Sequence, residues 1–205
     1  MTKPDITLYG TPLSGHCHRV ELLLLMLDLP FTATPAPADV RATPAFLRLN
    51  PLGQIPVMQD GDVVLADSNA ILVYLAKRYA PGSGWLPDDP VGAAEMQRWF
   101  SVAAGEMKHG PATARMIALW GFADDPARAA AISKRLLAFM EQHLSGRAWL
   151  VGDAPTVADL ACYSYVAHAP EGGVEIEPYP AVVAWLRRVE ALPKFKPMPK
   201  SQKPG

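Results

Sequence analysis

A β-hairpin followed by a helix is the clearest pattern in the first half of the chain. Two short apolar runs flank Asp60-Gly61, a pair that is typical of hairpin turns. The first run carries Pro56, which cannot donate to a sheet ladder and is therefore expected at a strand start or a sheet edge. The second run gives way to Asp67 and Ser68, both good helix caps, and then to apolar residues at helical spacing. The pattern predicts a sheet edge with unpaired backbone beside a helix N-terminus, which suits a peptide with a carboxylate at one end.

Strand-like and helical segments alternate over the first 80 residues. Besides the hairpin, the spacing predicts strands at 6–9 and 31–34 and helices at 16–28, 44–49 and 69–79. The order β-α-β-α-β-β-α, with parallel strands first and an antiparallel hairpin last, predicts a small mixed four-stranded sheet between helices. The run from Leu22 to Leu27 is apolar on every side, so the first long helix is expected to be buried on more than one face.

The second half of the chain is predicted to be all-α. A segment rich in turn formers, 81–90, predicts a linker, and no convincing strand follows it. Helices are expected at 91–108, at 112–119 after a bend at Gly110-Pro111, at 126–144, at 157–167, and from Pro180 to just before Leu192. The chain is therefore divided into a mixed domain at 1–80, the linker, and a helical domain at 91–205.

The composition excludes several functional classes. Half of the 205 residues are hydrophobic, which is enough for one large core or two small ones. The net charge of −1 and the pI of about 6.5 leave no global basic field for nucleic acid or acidic membranes. One basic cluster lies near the end, interleaved with prolines, and is expected to be a solvated tail that tends to disorder: Lys194, Lys196, Lys200 and Lys203.

Targeting signals, disulfides and metal sites are not expected. The first five residues are polar, unlike a signal peptide, and the apolar run at 22–27 is too short to span a bilayer. Cys17 and Cys162 lie far apart, which is typical of a protein of the reducing cytoplasm. The consecutive residues His16, Cys17 and His18 point different ways around a helix, and no second cluster with zinc spacing accompanies them, so no metal is expected.

Four motifs occur in the order and at the spacing of a known family. They are Leu8-Tyr9 leading to Ser14-Gly15-His16-Cys17, then Asn50-Pro51-Leu52-Gly53-Gln54-Ile55-Pro56-Val57, then Asp67-Ser68-Asn69-Ala70-Ile71, and finally Leu150-Val151-Gly152-Asp153-Ala154-Pro155-Thr156-Val157-Ala158-Asp159. On these residues the chain resembles the cytosolic glutathione transferases, of the bacterial kind with a serine in the active-site turn, over nearly its whole length. The resemblance implies a thioredoxin-like α/β domain that binds glutathione, an all-α C-terminal domain that contributes the electrophile pocket, and a homodimer.

The resemblance also assigns residues to glutathione. Ile55-Pro56 is similar to the family's cis-proline element, whose backbone pairs with the cysteinyl residue of glutathione; the alternative is an ordinary edge-strand proline. Gln54 is expected to point toward the same peptide. The hydroxyl and N–H of Ser68 suit the γ-glutamyl carboxylate, and Asp67 suits the ammonium group, although in isolation this pair would simply cap a helix.

Three hypotheses compete for the turn that carries Ser14. In the first, which the resemblance favours, the Ser14 hydroxyl donates to the glutathione sulfur and stabilises its thiolate. In the second, Cys17 is a redox thiol that forms a mixed disulfide with glutathione. In the third, Ser14 only caps the following helix. We favour Ser14 over Cys17, because a cysteine at this position is usually buried and structural.

The helical domain gives weaker signals. By resemblance, the region from Met107 to Trp120 is where the electrophile site lies, and His109, Arg115 and Met116 are its candidate residues, although an apolar helix face is more often core packing. Asp159 completes a capping-box pattern and is expected to support folding rather than chemistry.

The resulting functional hypothesis is an enzyme of detoxification. A cytoplasmic glutathione transferase would stabilise the thiolate of glutathione and conjugate it to a hydrophobic electrophile, or use it to reduce a peroxide. Glutathione would be the co-substrate, and neither nucleic acid nor a membrane would be a partner. Two alternatives remain: a thiol–disulfide exchanger that uses Cys17, and a low-turnover binding module with the same fold.

Overall fold

The computed structural model of the chain describes residues 4–201 and places a sheet in the first third and helices after it. The first part contains β1 Ile6–Gly10, α1 Gly15–Met26, β2 Phe31–Pro35, α2 Ala38–Arg41, α3 Pro44–Leu49, β3 Val57–Asp60, β4 Val63–Ala66 and α4 Ser68–Tyr79. The second part contains α5 Pro90–Ala104, α6 Thr113–Trp120, α7 Pro126–Leu144, α8 Val157–Ala167 and α9 Pro180–Glu190. Within residues 4–201 every strand precedes α4, as predicted, and none of the helices is long and apolar enough to cross a membrane.

The four strands form one mixed sheet in the order β2-β1-β3-β4. β1 pairs with β2 in parallel, whereas β3 pairs with both β1 and β4 antiparallel, which confirms the predicted topology. Pro56 was expected at a strand start or a sheet edge, and the first alternative holds, because β3 begins directly after it and lies inside the sheet between β1 and β4. Pro56 immediately precedes β3, so its missing N–H costs the sheet no ladder bond.

Helix α1 is buried between the sheet domain and the helical part. Leu22, Leu23 and Leu24 have no exposed surface, and α1 packs against both α4 and α8. The prediction of burial on more than one face is therefore confirmed. A smaller apolar cluster around Phe46 and Val57 covers the side of the sheet near α3.

The segment between α5 and α6 is more broken than the sequence suggested. α5 ends at Ala104 rather than at 108, because the backbone of Gly105 leaves the helical region with φ −99° and ψ −96°. A widened turn, Lys108–Ala112, follows and is distorted at Gly110. The predicted interruption at Gly110-Pro111 is confirmed, and the short helix α2 was not predicted.

Asp159 organises the start of α8 from inside the core. Its carboxylate accepts hydrogen bonds from the Thr156 N–H at 2.8 Å, the Leu150 N–H at 3.0 Å and the Trp185 indole Nε1–H at 2.9 Å, and one from the Thr156 hydroxyl. The side chain has no exposed surface. Burial raises the pKa of Asp159, against the opposing effect of these donors. The predicted capping box is confirmed.

The C-terminal segment is packed rather than frayed. Phe195 packs against His18 of α1, and the Lys196 carbonyl accepts a hydrogen bond from His18 Nε2 at 2.7 Å. The ammonium of Lys196 pairs with Glu21 at 2.7 Å. The solvated tail predicted for this region is therefore wrong up to residue 201, because the apolar residues between the lysines anchor the segment; Met198 is buried too. The last lysine of the predicted cluster, Lys203, lies outside the described residues.

Candidate active site

Ser14 sits at the start of α1 in a turn that follows β1. Its Oγ accepts a hydrogen bond from the Cys17 N–H at 3.3 Å, and its own N–H donates to the Thr11 carbonyl at 3.2 Å. The predicted helix cap is thus present. A hydroxyl that accepts with its oxygen keeps its proton for a second partner, so capping the helix and binding a sulfur anion are compatible roles.

Cys17 faces the sheet. Its Sγ lies so close to β1 that a Cβ added at Gly10 would be only 2.6 Å from it. The thiol is free and buried, and burial raises its pKa above the usual value. Both the packing and the proton affinity favour an inert thiol at this position.

The segment before β3 presents an unpaired backbone. The Ile55–Pro56 peptide bond is cis, as the resemblance implied. Asn50 is buried, and its amide donates to the Gln54 carbonyl at 2.8 Å, which holds the segment from behind. Within residues 4–201 the N–H and C=O of Ile55 have no hydrogen-bond partner, whereas the Gln54 side chain is exposed. An extended peptide can therefore pair with Ile55.

The N-terminus of α4 is capped by Asp67, not by Ser68. Asp67 Oδ1 accepts hydrogen bonds from the N–H groups of Asn69 and Ala70 at 2.9 and 3.0 Å. The predicted cap is therefore present, and of the two candidates only Asp67 provides it, because Ser68 is the first residue with helical geometry and a cap must precede it. In the described part of the chain the Ser68 N–H still lacks an acceptor, so the helix end keeps a free donor for an anion.

A buried arginine that the sequence analysis missed lies behind this helix end. Arg19 of α1 is 1% exposed, and its Nη1 donates to Ser68 Oγ at 3.2 Å and to Asn69 Oδ1 at 3.1 Å. Among the described residues, its Nε and Nη2 have no hydrogen-bond partner, and burial lowers the pKa of Arg19. One signal in the sequence points to it: an arginine within a helix that is apolar on every side cannot reach solvent and must meet polar groups.

His16 lies between the two halves of the site. Its Nδ1 is 3.4 Å from Ser68 Oγ, and its ring contacts the Tyr165 ring of α8 edge-on, with centroids 5.0 Å apart. Burial, together with the positive charges of Arg19 and Lys108, lowers the pKa of His16 to about 3. The imidazole is therefore neutral at physiological pH and adds no charge to the site.

Of the residues predicted to line the electrophile site, some are exposed and one is buried. His109 is exposed, and Met116 and Trp120 show 37% and 53% of their surfaces on α6. Arg115 does not fit the prediction that it meets a co-substrate, because it is only 2% exposed and bound by Glu171 and by the Leu13 carbonyl. Its partners lie in the interior because its helix packs against the turn Ala169–Gly172.

Between residues 4 and 201, no group of three or more His, Cys, Asp or Glu side chains is placed to hold a metal ion. What the site offers instead is a hydroxyl donor at Ser14, free backbone groups at Ile55, and a helix end at Ser68 backed by Arg19. These features suit a peptide ligand with a thiol between two charged ends.

Sequence comparison finds one family for both parts of the chain. The model for the glutathione S-transferase N-terminal domain matches residues 8–83, and the model for the C-terminal domain of the same family matches residues 122–193. Glutathione S-transferase 3 of Zea mays is 33% identical over an alignment 207 positions long, gaps included, that covers 93% of this chain and 91% of the maize protein.

Solved structures give the same result. A crystal structure of a glutathione S-transferase from Xanthobacter autotrophicus Py2 is similar with a TM-score of 0.88 at 32% identity, covering 95% of this chain and 97% of that one. The theta class glutathione S-transferase from Xanthomonas axonopodis pv. citri, solved with glutathione bound, has a TM-score of 0.84 at 27% identity, covering 93% and 95%. The likeness extends over the sheet and the helices alike.

Proposed function

Because this chain belongs to the glutathione S-transferase family, we propose that its Ser14 hydroxyl holds the sulfur of bound glutathione in the thiolate form. The protein is an enzyme, a glutathione transferase, and glutathione is its co-substrate. A free thiol with a pKa of about 8.5 is mostly protonated at neutral pH. A hydrogen bond donated to the sulfur favours the charged form and lowers that pKa. The thiolate then attacks an electrophilic carbon, forming a C–S bond as the leaving group departs.

The observation that carries this proposal is the hydrogen-bond arrangement of Ser14. Its oxygen accepts from the Cys17 N–H, so the hydroxyl proton is left to donate elsewhere. The alternative thiol–disulfide exchanger is disfavoured, because Cys17 packs against Gly10 and its burial raises its pKa. A buried thiol of raised pKa is a poor nucleophile.

The tripeptide is proposed to lie along the segment before β3 and to end at α4. Ile55 supplies unpaired backbone groups for the cysteinyl residue next to cis-Pro56, with Gln54 beside them. The γ-glutamyl carboxylate is proposed to bind the Ser68 N–H and hydroxyl, and Asp67 to attract the ammonium group. The positive charge of Arg19 behind Ser68 supports the placement of the carboxylate.

We expect Ser68→Ala to weaken glutathione binding by about 1–3 kcal/mol, the range for a lost hydrogen bond to a charged group. Calorimetry on the folded variant measures this directly. Because the cap is Asp67, the helix keeps its cap, and any loss of thermal stability reflects the missing acceptor for Arg19. Ser101→Ala is a matched control, since Ser101 is an exposed helical serine that bonds only its own helix. Unchanged affinity in Ser68→Ala would place the carboxylate elsewhere.

The division of labour between the two parts of the chain is also a proposal. Residues 1–80 would bind glutathione, 81–90 would link, and 91–205 would supply the electrophile site, with His109 and Met116 at its opening. The exposed ring of Trp120, which lies on α6 with Met116, favours a hydrophobic electrophile. A panel of an aryl halide, an isothiocyanate, a peroxide and a disulfide tests this: conjugation or peroxide reduction is expected, and activity restricted to the disulfide would favour the exchanger.

A homodimer is the proposed assembly. The edge strand β4 exposes Val63 and Val64. A cleft of about 490 Å³ lies between α4 and α5 and is lined partly by Val73, Met96 and Phe100. An exposed apolar edge strand and an open cleft with apolar lining are the kinds of surface that a second copy covers. Sedimentation is expected to give twice the 22.2 kDa mass of one chain. A monomer at micromolar concentration would contradict the dimer.

Residence in the cytoplasm completes the proposal. Cys17 and Cys162 are both free thiols and both buried, in the sheet domain and in α8 respectively. A reducing compartment preserves such thiols and also keeps glutathione in its reduced, nucleophilic form.

A further inference from the structure

A buried arginine of the helical part reaches the active-site turn. Arg115 of α6 donates from Nη1 to the Leu13 carbonyl at 2.9 Å, across 102 positions of sequence. Leu13 directly precedes Ser14, so this bond ends on the peptide group that leads into the proposed catalytic residue. The contact is a direct connection from the helical part to the glutathione-binding part.

The Leu13–Ser14 peptide group is held on both of its edges. Its carbonyl accepts from Arg115, and its N–H donates to the Thr11 carbonyl at 3.2 Å. Because the atoms of a peptide group lie in one plane that includes the next Cα, these two bonds fix the position of the Ser14 Cα. From that Cα, the hydrogen bond that the Cys17 N–H donates to Ser14 Oγ sets the direction of the side chain. Losing the Arg115 bond leaves only the Thr11 bond to hold the plane.

Arg115 itself is held in place by Glu171. Its Nε donates to Glu171 Oε2 at 2.5 Å, while Glu171 Oε1 accepts from His168 Nδ1 at 3.0 Å and from the Ser201 N–H at 3.1 Å. Burial opposes the ionisation of Glu171, but these donors lower its pKa below the usual value, so it is charged at neutral pH. The Arg115 guanidinium is therefore held by the Glu171 carboxylate on one side and bonds the Leu13 carbonyl on the other.

The backbone around Arg115 and Glu171 is also closely packed. A Cβ added at Gly172 would lie 2.6 Å from the Arg115 backbone nitrogen, so the turn Ala169–Gly172 is pressed against α6. The Arg115 guanidinium also lies over the Trp120 ring, 5.3 Å from its centroid. The side chain is thus confined from three directions, which gives its bond to Leu13 a defined geometry.

A lysine cannot reproduce this arrangement. The planar guanidinium directs Nε to Glu171 and Nη1 to Leu13 at the same time, whereas an ammonium is a point charge on a flexible stem. We propose that Arg115 is a positioning residue: through the Leu13–Ser14 peptide group it aims the Ser14 hydroxyl at the sulfur of glutathione. This inference rests on the proposed role of Ser14 as the thiolate donor.

The test measures the pKa of glutathione bound to variants of Arg115, by ultraviolet absorbance of the thiolate. In Arg115→Lys and Arg115→Met, the pKa of the bound thiol is expected to rise toward about 8.5, its free value. kcat at neutral pH is expected to fall roughly ten- to a hundredfold, within the range for misplacing one oriented donor. KM for glutathione should change by no more than about twofold, since the tripeptide is held elsewhere.

Arg115→Lys separates positioning from a simple effect of charge. If the positive charge alone stabilised the thiolate, lysine would preserve the low pKa of the bound thiol. Equal behaviour of the lysine and methionine variants supports positioning, and a wild-type pKa in Arg115→Lys overturns it. Arg135→Met is the control, because Arg135 pairs with Glu106 at 3.8 Å on the exposed surface and should leave the thiol pKa unchanged.

The same measurement in a Ser14→Ala background distinguishes the two proposals. If Ser14→Ala alone leaves the thiol pKa unchanged, the proposed role of Ser14 fails. Suppose instead that Ser14→Ala raises the pKa of the bound thiol, and that Arg115→Met raises this pKa by the same amount in the wild type and in the Ser14→Ala variant. Arg115 then does not act through Ser14, and the inference fails while the proposed role of Ser14 stands. Should Arg115→Met not fold, Glu171→Gln keeps the size of the side chain while weakening the hold on Arg115, and a rise in thiol pKa is expected there too.

Discussion

Replacing Ser14 with alanine is expected to lower conjugation at neutral pH by roughly ten- to a thousandfold, the range spanned by losing one oriented donor. Glutathione should still bind with most of its affinity, because we propose that the backbone of Ile55 and the end of α4 at Ser68 hold the tripeptide. Ultraviolet difference spectra should show the pKa of the bound thiol rising toward about 8.5. A variant that binds glutathione but no longer ionises it is the specific signature of a thiolate donor.

The matched variant Cys17→Ala should leave conjugation nearly intact. Cys17 Sγ fills the space next to Gly10, so its loss should cost some packing and stability but remove no group of the proposed binding site. The opposite pattern would contradict the proposal. If Ser14→Ala stayed active and Cys17→Ala lost activity in a disulfide-reduction assay, the protein would be a thiol exchanger.

Asp159→Ala is expected to reduce the free energy of unfolding by about 3–5 kcal/mol, because it leaves several buried donors without an acceptor. The N–H groups of Thr156 and Leu150 and the indole of Trp185 all depend on this carboxylate. Each unsatisfied buried donor costs about 1–3 kcal/mol. Urea unfolding measures the effect, and the folded fraction should bind glutathione with ordinary affinity, since Asp159 bonds Thr156, Leu150 and Trp185 and none of the residues proposed to hold glutathione.

A nearby control separates this effect from the loss of charge. Asp153 lies in the same loop and is exposed, so Asp153→Ala should change stability very little. Asp159→Asn keeps the volume and one acceptor oxygen. Its free energy of unfolding should therefore lie between those of Asp153→Ala and Asp159→Ala. A stable Asp159→Ala protein that had lost catalysis would show that the residue serves chemistry rather than folding.

The local elements were predictable where their signals lie within a few residues. α7 runs from Pro126 to Leu144, as predicted, because Asp125 caps a helix whose first residue is proline, and its apolar spacing continues to the end. The capping box at Thr156 and the β3–β4 hairpin were also predictable from neighbouring residues. The order of parallel and antiparallel strands also followed from the spacing of these elements, since adjacent strands joined by a tight turn must be antiparallel.

The parts that failed depend on contacts between distant residues. Arg115 looked like an open cation of the electrophile site, but its partners, Leu13 and Glu171, lie 102 and 56 positions away. Arg19 was missed for the same reason, because its partner Ser68 is 49 positions away. The internal position of β3 depends on its pairing with β1, which periodicity alone does not reveal. Tertiary packing decided each case.

The packing of the C-terminal segment on α1 also affects the order in which this protein acquires its structure during synthesis. His18 leaves the ribosome early, but the carbonyl that it bonds, on Lys196, is made 178 residues later. The strands and α1 can assemble on the ribosome, whereas one face of α1 stays uncovered until the segment after α9 has been released. Ser201 arrives still later and completes the set of donors around Glu171. A nascent chain that pauses after α9 and before Lys196 therefore lacks both the carbonyl that His18 bonds and the Ser201 donor to Glu171.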